Sequence, residues 1–196
     1  IDSEVFIPLI AKNLNGNSIE DAVAKACSLV QGAYSILLLV NDKLIAVKDP
    51  HGFRPLVLGR MGQSYVLASE TCAFDLLEAE YLRPVDPGEM LVLERGRLTS
   101  RQLCNPCKPK QCIFELIYFA RPDSTIFGEN VYDCRKAMGR ALAREAPVDA
   151  DYVMPFPDSG VYACVGYAQE SGLPFEHVMI RNHYVGRTFI QPTQDQ

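Results

Sequence analysis

The chain has 196 residues, 48% of them hydrophobic and 22% charged, enough to bury a core as one large domain or two small ones. Its net charge of -5, with lysines and arginines scattered along the chain, leaves no basic stripe to attract nucleic acid or an anionic membrane. No run of about 18 apolar residues is present to cross a bilayer and the opening Ile1-Asp2-Ser3-Glu4 does not read as a signal peptide, so a cytoplasmic location is expected.

In chain order, residues 17–31 place Ile19, Ala22, Val23, Ala26, Cys27 and Val30 on one helical face, with Ser18 and Asp21 spaced as a capping box and Gly32 as the stop. From 33 to 58 the pattern turns to β: 34–40 reads as a buried strand, Asn41-Asp42 as a turn and 44–47 as the returning strand of a hairpin. Further strands are expected at 64–68 and 90–93, with a short helix at 72–78 and a turn at Asp86-Pro87-Gly88-Glu89. The first hundred residues therefore read as strand-rich α+β.

Prolines and lysines interrupt all periodicity in Cys104-Asn-Pro-Cys-Lys-Pro-Lys-Gln-Cys112, where a domain boundary is expected. Beyond it, a helix at 130–145 with Val131, Cys134, Met138, Ala141 and Leu142 inward is followed by a strand at 151–156, a helix at 161–171 stopped by Gly172 and Pro174, and a strand at 175–180. That alternation is the βαβ signature of a parallel sheet.

Seven cysteines, Cys27, Cys72, Cys104, Cys107, Cys112, Cys134 and Cys164, are an odd number set mostly in apolar stretches, which suits a reducing compartment better than a disulfide framework. Cys104, Cys107 and Cys112 have close spacing but are three thiols where structural zinc takes four ligands, with no histidine nearby. His51, His177 and His183 are too dispersed for a metal cluster, and His51 reads as a turn residue.

Two stretches carry chemistry. Pro157-Asp158-Ser159-Gly160 is a small-residue turn between an expected strand and an expected helix, where backbone N–H groups and the helix dipole make a site for phosphate. Taken alone, the same residues read more readily as an ordinary βα loop with Asp158 or Ser159 capping the helix. Arg181 to Pro192 mixes cations, a glycine and aromatics, and reads either as a lid closing arginine onto a phosphorylated substrate or as a solvated loop.

Seven blocks then stand in a familiar order: Asp2-Ser-Glu4, Gly32-Ala-Tyr-Ser35, Lys48-Asp-Pro-His-Gly-Phe-Arg-Pro-Leu56, Ala68-Ser-Glu-Thr-Cys-Ala73, Tyr118-Phe-Ala-Arg-Pro-Asp-Ser124, Pro157-Asp-Ser-Gly160 and Tyr184-Val-Gly-Arg-Thr-Phe-Ile190. On these the chain resembles the glutamine phosphoribosylpyrophosphate amidotransferase family over essentially its whole length. The resemblance implies that 1–110 are the C-terminal part of a class II glutamine amidotransferase domain, an α+β N-terminal-nucleophile glutaminase of antiparallel sheets with helices. It implies that 111–196 begin an α/β type I phosphoribosyltransferase domain.

The activity so implied converts glutamine, phosphoribosyl pyrophosphate and water to 5-phosphoribosylamine, pyrophosphate and glutamate, the first committed step of purine synthesis. By position, Asp2 resembles the carboxylate that holds the α-amino group of glutamine, a charge-assisted contact. Asp158, Ser159 and Gly160 resemble the pyrophosphate loop, with Ser159 near Mg²⁺, and Tyr184 and Arg187 lie in the stretch resembling the loop that closes over the substrate. Cys112 stands where many members place the first ligand of a [4Fe-4S] cluster, although relatives without a cluster also carry cysteine there. The implied partners are glutamine, phosphoribosyl pyrophosphate, purine nucleotide inhibitors and further copies of the chain in a homo-oligomer.

The family's amino-terminal nucleophilic cysteine, the arginine and Asn-Gly pair of its glutamine pocket, and its Asp-Asp phosphoribosyl pyrophosphate signature have no counterpart here, so the chain is expected to be a partial, inactive piece. The family's Lys-Asn-Arg-Tyr reads Arg181-Asn-His183-Tyr, which keeps one fixed cation. The competing reading is a non-catalytic pentose-phosphate- or nucleotide-binding relative that keeps only the phosphate loop.

Overall fold

The computed structural model describes residues 2–105, 107–184 and 186, without the side chain of Asp2. Two compact units divide at Val131 and Tyr132, later in the chain than the cysteine-rich stretch.

In the first unit, a 3₁₀ turn at Asp2–Val5 leads into α1 (Phe6–Asn13), and α2 (Ile19–Leu29) follows. The Ser18 side chain accepts from the Asp21 backbone N–H at 3.1 Å, which caps α2 as its sequence predicts. Ala22, Val23, Ala26 and Cys27 are buried. Strands β1 (Ser35–Val40), β2 (Lys43–Lys48), β6 (Glu89–Glu94) and β7 (Arg97–Gln102) pair antiparallel in the order β1-β2-β6-β7. A second antiparallel sheet runs β4-β3-β5, from β3 (Val57–Met61), β4 (Ser64–Ala68) and β5 (Glu80–Pro84), with α3 (Cys72–Leu77) between β4 and β5.

Strand alternation sorts the core onto two faces. Ile45, Val47, Met90 and Val92 pack with Phe6, Ile10, Val23 and Tyr34 beneath α1 and α2. Ala46 and Leu91, the odd positions out, pack instead with Leu56, Leu58 and Val85 toward the second sheet. The layers are thus helices, sheet, sheet. Strand β1 departs from its buried reading: it is an edge strand, so Ile36 and Leu38 reach the core while Leu37 and Leu39 on its other face are 50% and 78% exposed.

A π-helical turn at Glu115–Phe119, closed by the Ala120 N–H on the Glu115 carbonyl at 3.1 Å, leads to the short hairpin β8 (Thr125–Ile126) and β9 (Glu129–Asn130). Helix α4 (Val131–Glu145) follows it.

In the second unit, α4 packs on α5 (Val161–Ser171) through glycine. A Cβ on Gly139 would overlap the Ala163 carbonyl, and one on Gly166 would overlap the Lys136 carbonyl, so the backbones touch where only hydrogen fits. This corrects the expected inward face of α4. Val131 is buried as expected, but the row it begins runs on through Arg135, Gly139 and Ala143, four apart, while Met138 and Leu142 are exposed and Cys134 and Ala141 half-buried. The glycine contact decides which face turns in.

The expected strands at 151–156 and 175–180 shrink to a single parallel bridge between Val153 and Phe175. Its bonds run from Val153 N–H to the Pro174 carbonyl (2.8 Å) and from Glu176 N–H to the Val153 carbonyl (2.9 Å). The next donor in a parallel ladder would be residue 155, a proline without an N–H, so the ladder stops there. Gly172 in the left-handed region ends α5 as read from the sequence.

Candidate functional site

A cleft of about 680 Å³ opens in the first unit between the start of α1, the beginning of β1 and the π-helical turn. Ser3, Val5 and Phe6, the chain neighbours of Asp2, line one side, Ser35 and Ile36 another, and Arg54, Ser69, Glu70, Glu115 and Phe119 the third. Four of the seven sequence blocks therefore meet here with Asp2-Ser-Glu4, although they are scattered over more than a hundred positions.

The floor is built by the 48–56 block. Asp49, fully buried, accepts from the N–H groups of His51 (2.9 Å) and Phe53 (3.1 Å), which folds the loop back and sends Arg54 to the cleft. Gly52 holds this turn at φ +63, with Pro87 packed where a Cβ would stand. The same loop receives Lys110 N–H at the His51 carbonyl (2.9 Å) and Cys112 N–H at the Phe53 carbonyl (3.0 Å).

Arg54 then reaches three points on the next segment. Its Nε lies 3.0 Å from the Glu115 carboxylate, its Nη1 donates to the Cys112 sulfur at 3.8 Å, and its guanidinium sits 4.5 Å from the centre of the Phe119 ring. Burial pushes the Glu115 carboxyl above its ordinary range; the Arg54 charge opposes that rise and the Glu70 charge adds to it. Glu70 holds the far end: its carboxylate accepts from the Arg121 N–H and the Ser124 hydroxyl, each at 2.8 Å, beside Thr125 N–H on the Thr71 hydroxyl at 2.8 Å. These contacts have no local sequence signal. Their only trace in the sequence is that the blocks containing Arg54, Glu70 and Ser124 stood out without an assigned role.

In the second unit, Gly160 is the residue that caps α5, and no side chain bonds to the helix start. Asp158 and Ser159 are exposed just before it. Neither acts as the capping side chain; the Gly160 N–H donates to the Phe156 carbonyl at 3.1 Å and the Val161 N–H to the Asp158 carbonyl at 3.4 Å, so what the turn offers an anion is the positive end of the helix dipole. Arg181 lies 3.5 Å from the Asp158 carboxylate, which brings the turn and the following cationic stretch together, in an exposed pair of little energetic weight. Tyr184 is fully exposed. Arg187, expected in the closing loop, lies outside the described residues, as does the Asp2 side chain.

Asp158 and Ser159 offer a carboxylate and a hydroxyl, a donor set suited to Mg²⁺ that keeps its waters and binds mainly through substrate phosphate oxygens. Among the described residues no group of three or more His, Cys, Asp or Glu is placed to hold a metal. Cys104 packs its sulfur on Gly88 and Cys107 turns to the Asn105 carbonyl, so neither joins Cys112. The described residues thus do not complete a [4Fe-4S] site, which takes four ligands. Among them, no helix is long and apolar enough to cross a membrane.

No family model matches the chain. It is 52% identical over 194 residues to a chloroplastic amidophosphoribosyltransferase of Glycine max, and 48% identical over 198 residues to the amidophosphoribosyltransferase of Rhizobium etli, in each case across 98% of the chain. Its structure matches glutamine phosphoribosylpyrophosphate amidotransferase from B. subtilis, complexed with ADP and GMP, with a TM-score of 0.90 and 45% identity over 100% of the chain. Over this stretch the chain belongs to the amidophosphoribosyltransferase family. It spans 34% and 40% of the length of those two relatives and 43% of the B. subtilis chain.

Proposed function

We propose that the chain forms part of an amidophosphoribosyltransferase that moves the amide nitrogen of glutamine to C1 of phosphoribosyl pyrophosphate, yielding 5-phosphoribosylamine, pyrophosphate and glutamate. The observation that carries this reading is the likeness in sequence and fold along the whole chain, at 45% identity and a TM-score of 0.90. In it, 1–110 belong to the N-terminal-nucleophile glutaminase part and 111–196 to the start of the type I phosphoribosyltransferase part.

Within that reading Asp2 holds the α-amino group of glutamine at the cleft walled by Ser3, Val5 and Phe6. The pyrophosphate rests at the start of α5, where the helix dipole favours negative charge. Asp158 and Ser159 would hold a hydrated Mg²⁺ brought with the substrate, which would supply positive charge against the pyrophosphate leaving group. Tyr184 and Arg187 close over the ribose phosphate and exclude water. Cys112 is the one thiol offered here to a [4Fe-4S] cluster. Glutamine, phosphoribosyl pyrophosphate and regulatory purine nucleotides are the proposed ligands, in a cytoplasmic homo-oligomer.

The test of the phosphate site is Gly160→Val. A Cβ there would lie 2.9 Å from the Phe156 carbonyl, so the turn must move and its amides with it. Titration with Mg²⁺ and phosphoribosyl pyrophosphate should show affinity lowered about tenfold or more, the equivalent of one charge-assisted hydrogen bond. Undiminished binding would remove this turn from the site.

A further inference from the structure

Segment 112–125 is fixed at both ends, by Arg54 and Glu70, which line the cleft, and by Thr71, the chain neighbour of Glu70. At its start Arg54 touches Cys112, Glu115 and Phe119 together. At its end Glu70 and Thr71 receive Arg121, Ser124 and Thr125. Between these pins the segment is held by short-range backbone bonds, among them Glu115 N–H to the Cys112 carbonyl (3.1 Å) and Leu116 and Ile117 N–H to the Ile113 carbonyl (3.0 and 3.1 Å). The π-helical turn is only five residues long, and Ile113, Phe114, Ile117, Tyr118 and Phe119 are all more than 40% exposed. Such turns are uncommon and concentrate at functional sites. Apolar burial under the turn comes mainly from Leu116 against Ala120, Ile126 and Val131.

We infer that Arg54 and Glu70 are positioning residues: they pin segment 112–125 as one wall of the cleft and so set the shape that receives glutamine. This rests on the proposed assignment of the cleft to glutamine. The chemistry suits the task. A guanidinium is planar and permanently charged, so it can pair with a carboxylate along one edge and lie over a ring with its face, which a lysine ammonium cannot reproduce. Glu70 contributes a single carboxylate oxygen shared by a backbone N–H and a hydroxyl, which fixes the direction in which the chain leaves the turn. Neither side chain needs to touch a reacting atom.

The test uses the full-length gene product containing this chain, with Arg54→Met, Arg54→Lys and Glu70→Gln. Amide hydrogen exchange in 112–125 should quicken about tenfold in Arg54→Met, while the amides of β2 and β6 stay protected. The KM for glutamine should rise about tenfold with kcat little changed, so that the ratio of glutamine-driven to ammonia-driven synthesis falls. Arg54→Lys, which keeps the charge and loses the stacking, should recover part of both effects, and Glu70→Gln should loosen chiefly 121–125. Unchanged exchange in all three variants would overturn the pins. Faster exchange with an unaltered glutamine-to-ammonia ratio would overturn the positioning role while leaving the proposed activity intact. Absence of either synthesis in the unmodified protein would instead overturn the proposed activity, and the exchange data would still decide the pins.

Discussion

Arg83 and Glu89 join the two sheets of the first unit through a paired contact, Nη1 to Oε2 at 2.8 Å and Nη2 to Oε1 at 2.7 Å, with the Glu89 side chain only 4% exposed. The Asp86 N–H and the Ser100 hydroxyl complete the shell at 2.8 and 2.6 Å. Burial alone would raise the Glu89 carboxyl, but these four donors outweigh it and hold its pKa below the ordinary value.

A carboxyl with a depressed folded pKa contributes stability that is present above its unfolded pKa and lost as pH falls through the folded one. The protein should therefore lose stability steeply below about pH 4, a limb that Glu89→Gln should flatten while costing about 2 kcal/mol at neutral pH. Urea midpoints measured from pH 3 to pH 7 check this. Parallel curves for the two proteins would mean that Glu89 carries no such linkage.

Gly139→Ala should destabilise the second unit by about 1–3 kcal/mol, because the added methyl meets backbone rather than a side chain that can swing away. Helical signal followed through denaturant unfolding gives the number. An unchanged midpoint would mean that α4 and α5 do not approach so closely.

Ser18→Ala removes the side chain that accepts the Asp21 N–H and should cost about 1 kcal/mol. Ser18→Gly should cost less, since glycine is tolerated at a helix cap. Thermal unfolding of the two variants side by side separates the lost cap from a general effect of truncation.

What the sequence made legible was local. The cap and periodicity of α2, the hairpin of β1 and β2, and the boundaries of α5 depend on residues within a few positions of one another, and the structure has them. Helix α1 was not legible because Val5 precedes it with no side-chain cap. Strand β3 hides behind Gly59 and a register shift at Leu58/Gly59, and β7 is a largely exposed edge strand without alternation. Hydrophobicity ranks Met138 and Leu142 above the glycine that makes the contact, so the pattern points to a different face of α4 from the one that packs. The cleft shows the same limit more sharply: Arg54, Glu70 and Glu115 converge through tertiary folding, and no spacing rule connects them.

The proposed transfer of glutamine nitrogen to phosphoribosyl pyrophosphate is measured most directly as release of glutamate and pyrophosphate by the full-length gene product given both substrates and Mg²⁺. Glutamate and pyrophosphate should appear in equal amounts. Asp2→Ala should lose the glutamine-driven reaction while ammonia continues to drive pyrophosphate release, because it removes only the clamp on the α-amino group. Pyrophosphate release with neither nitrogen source, or equal loss of both reactions in Asp2→Ala, would contradict it.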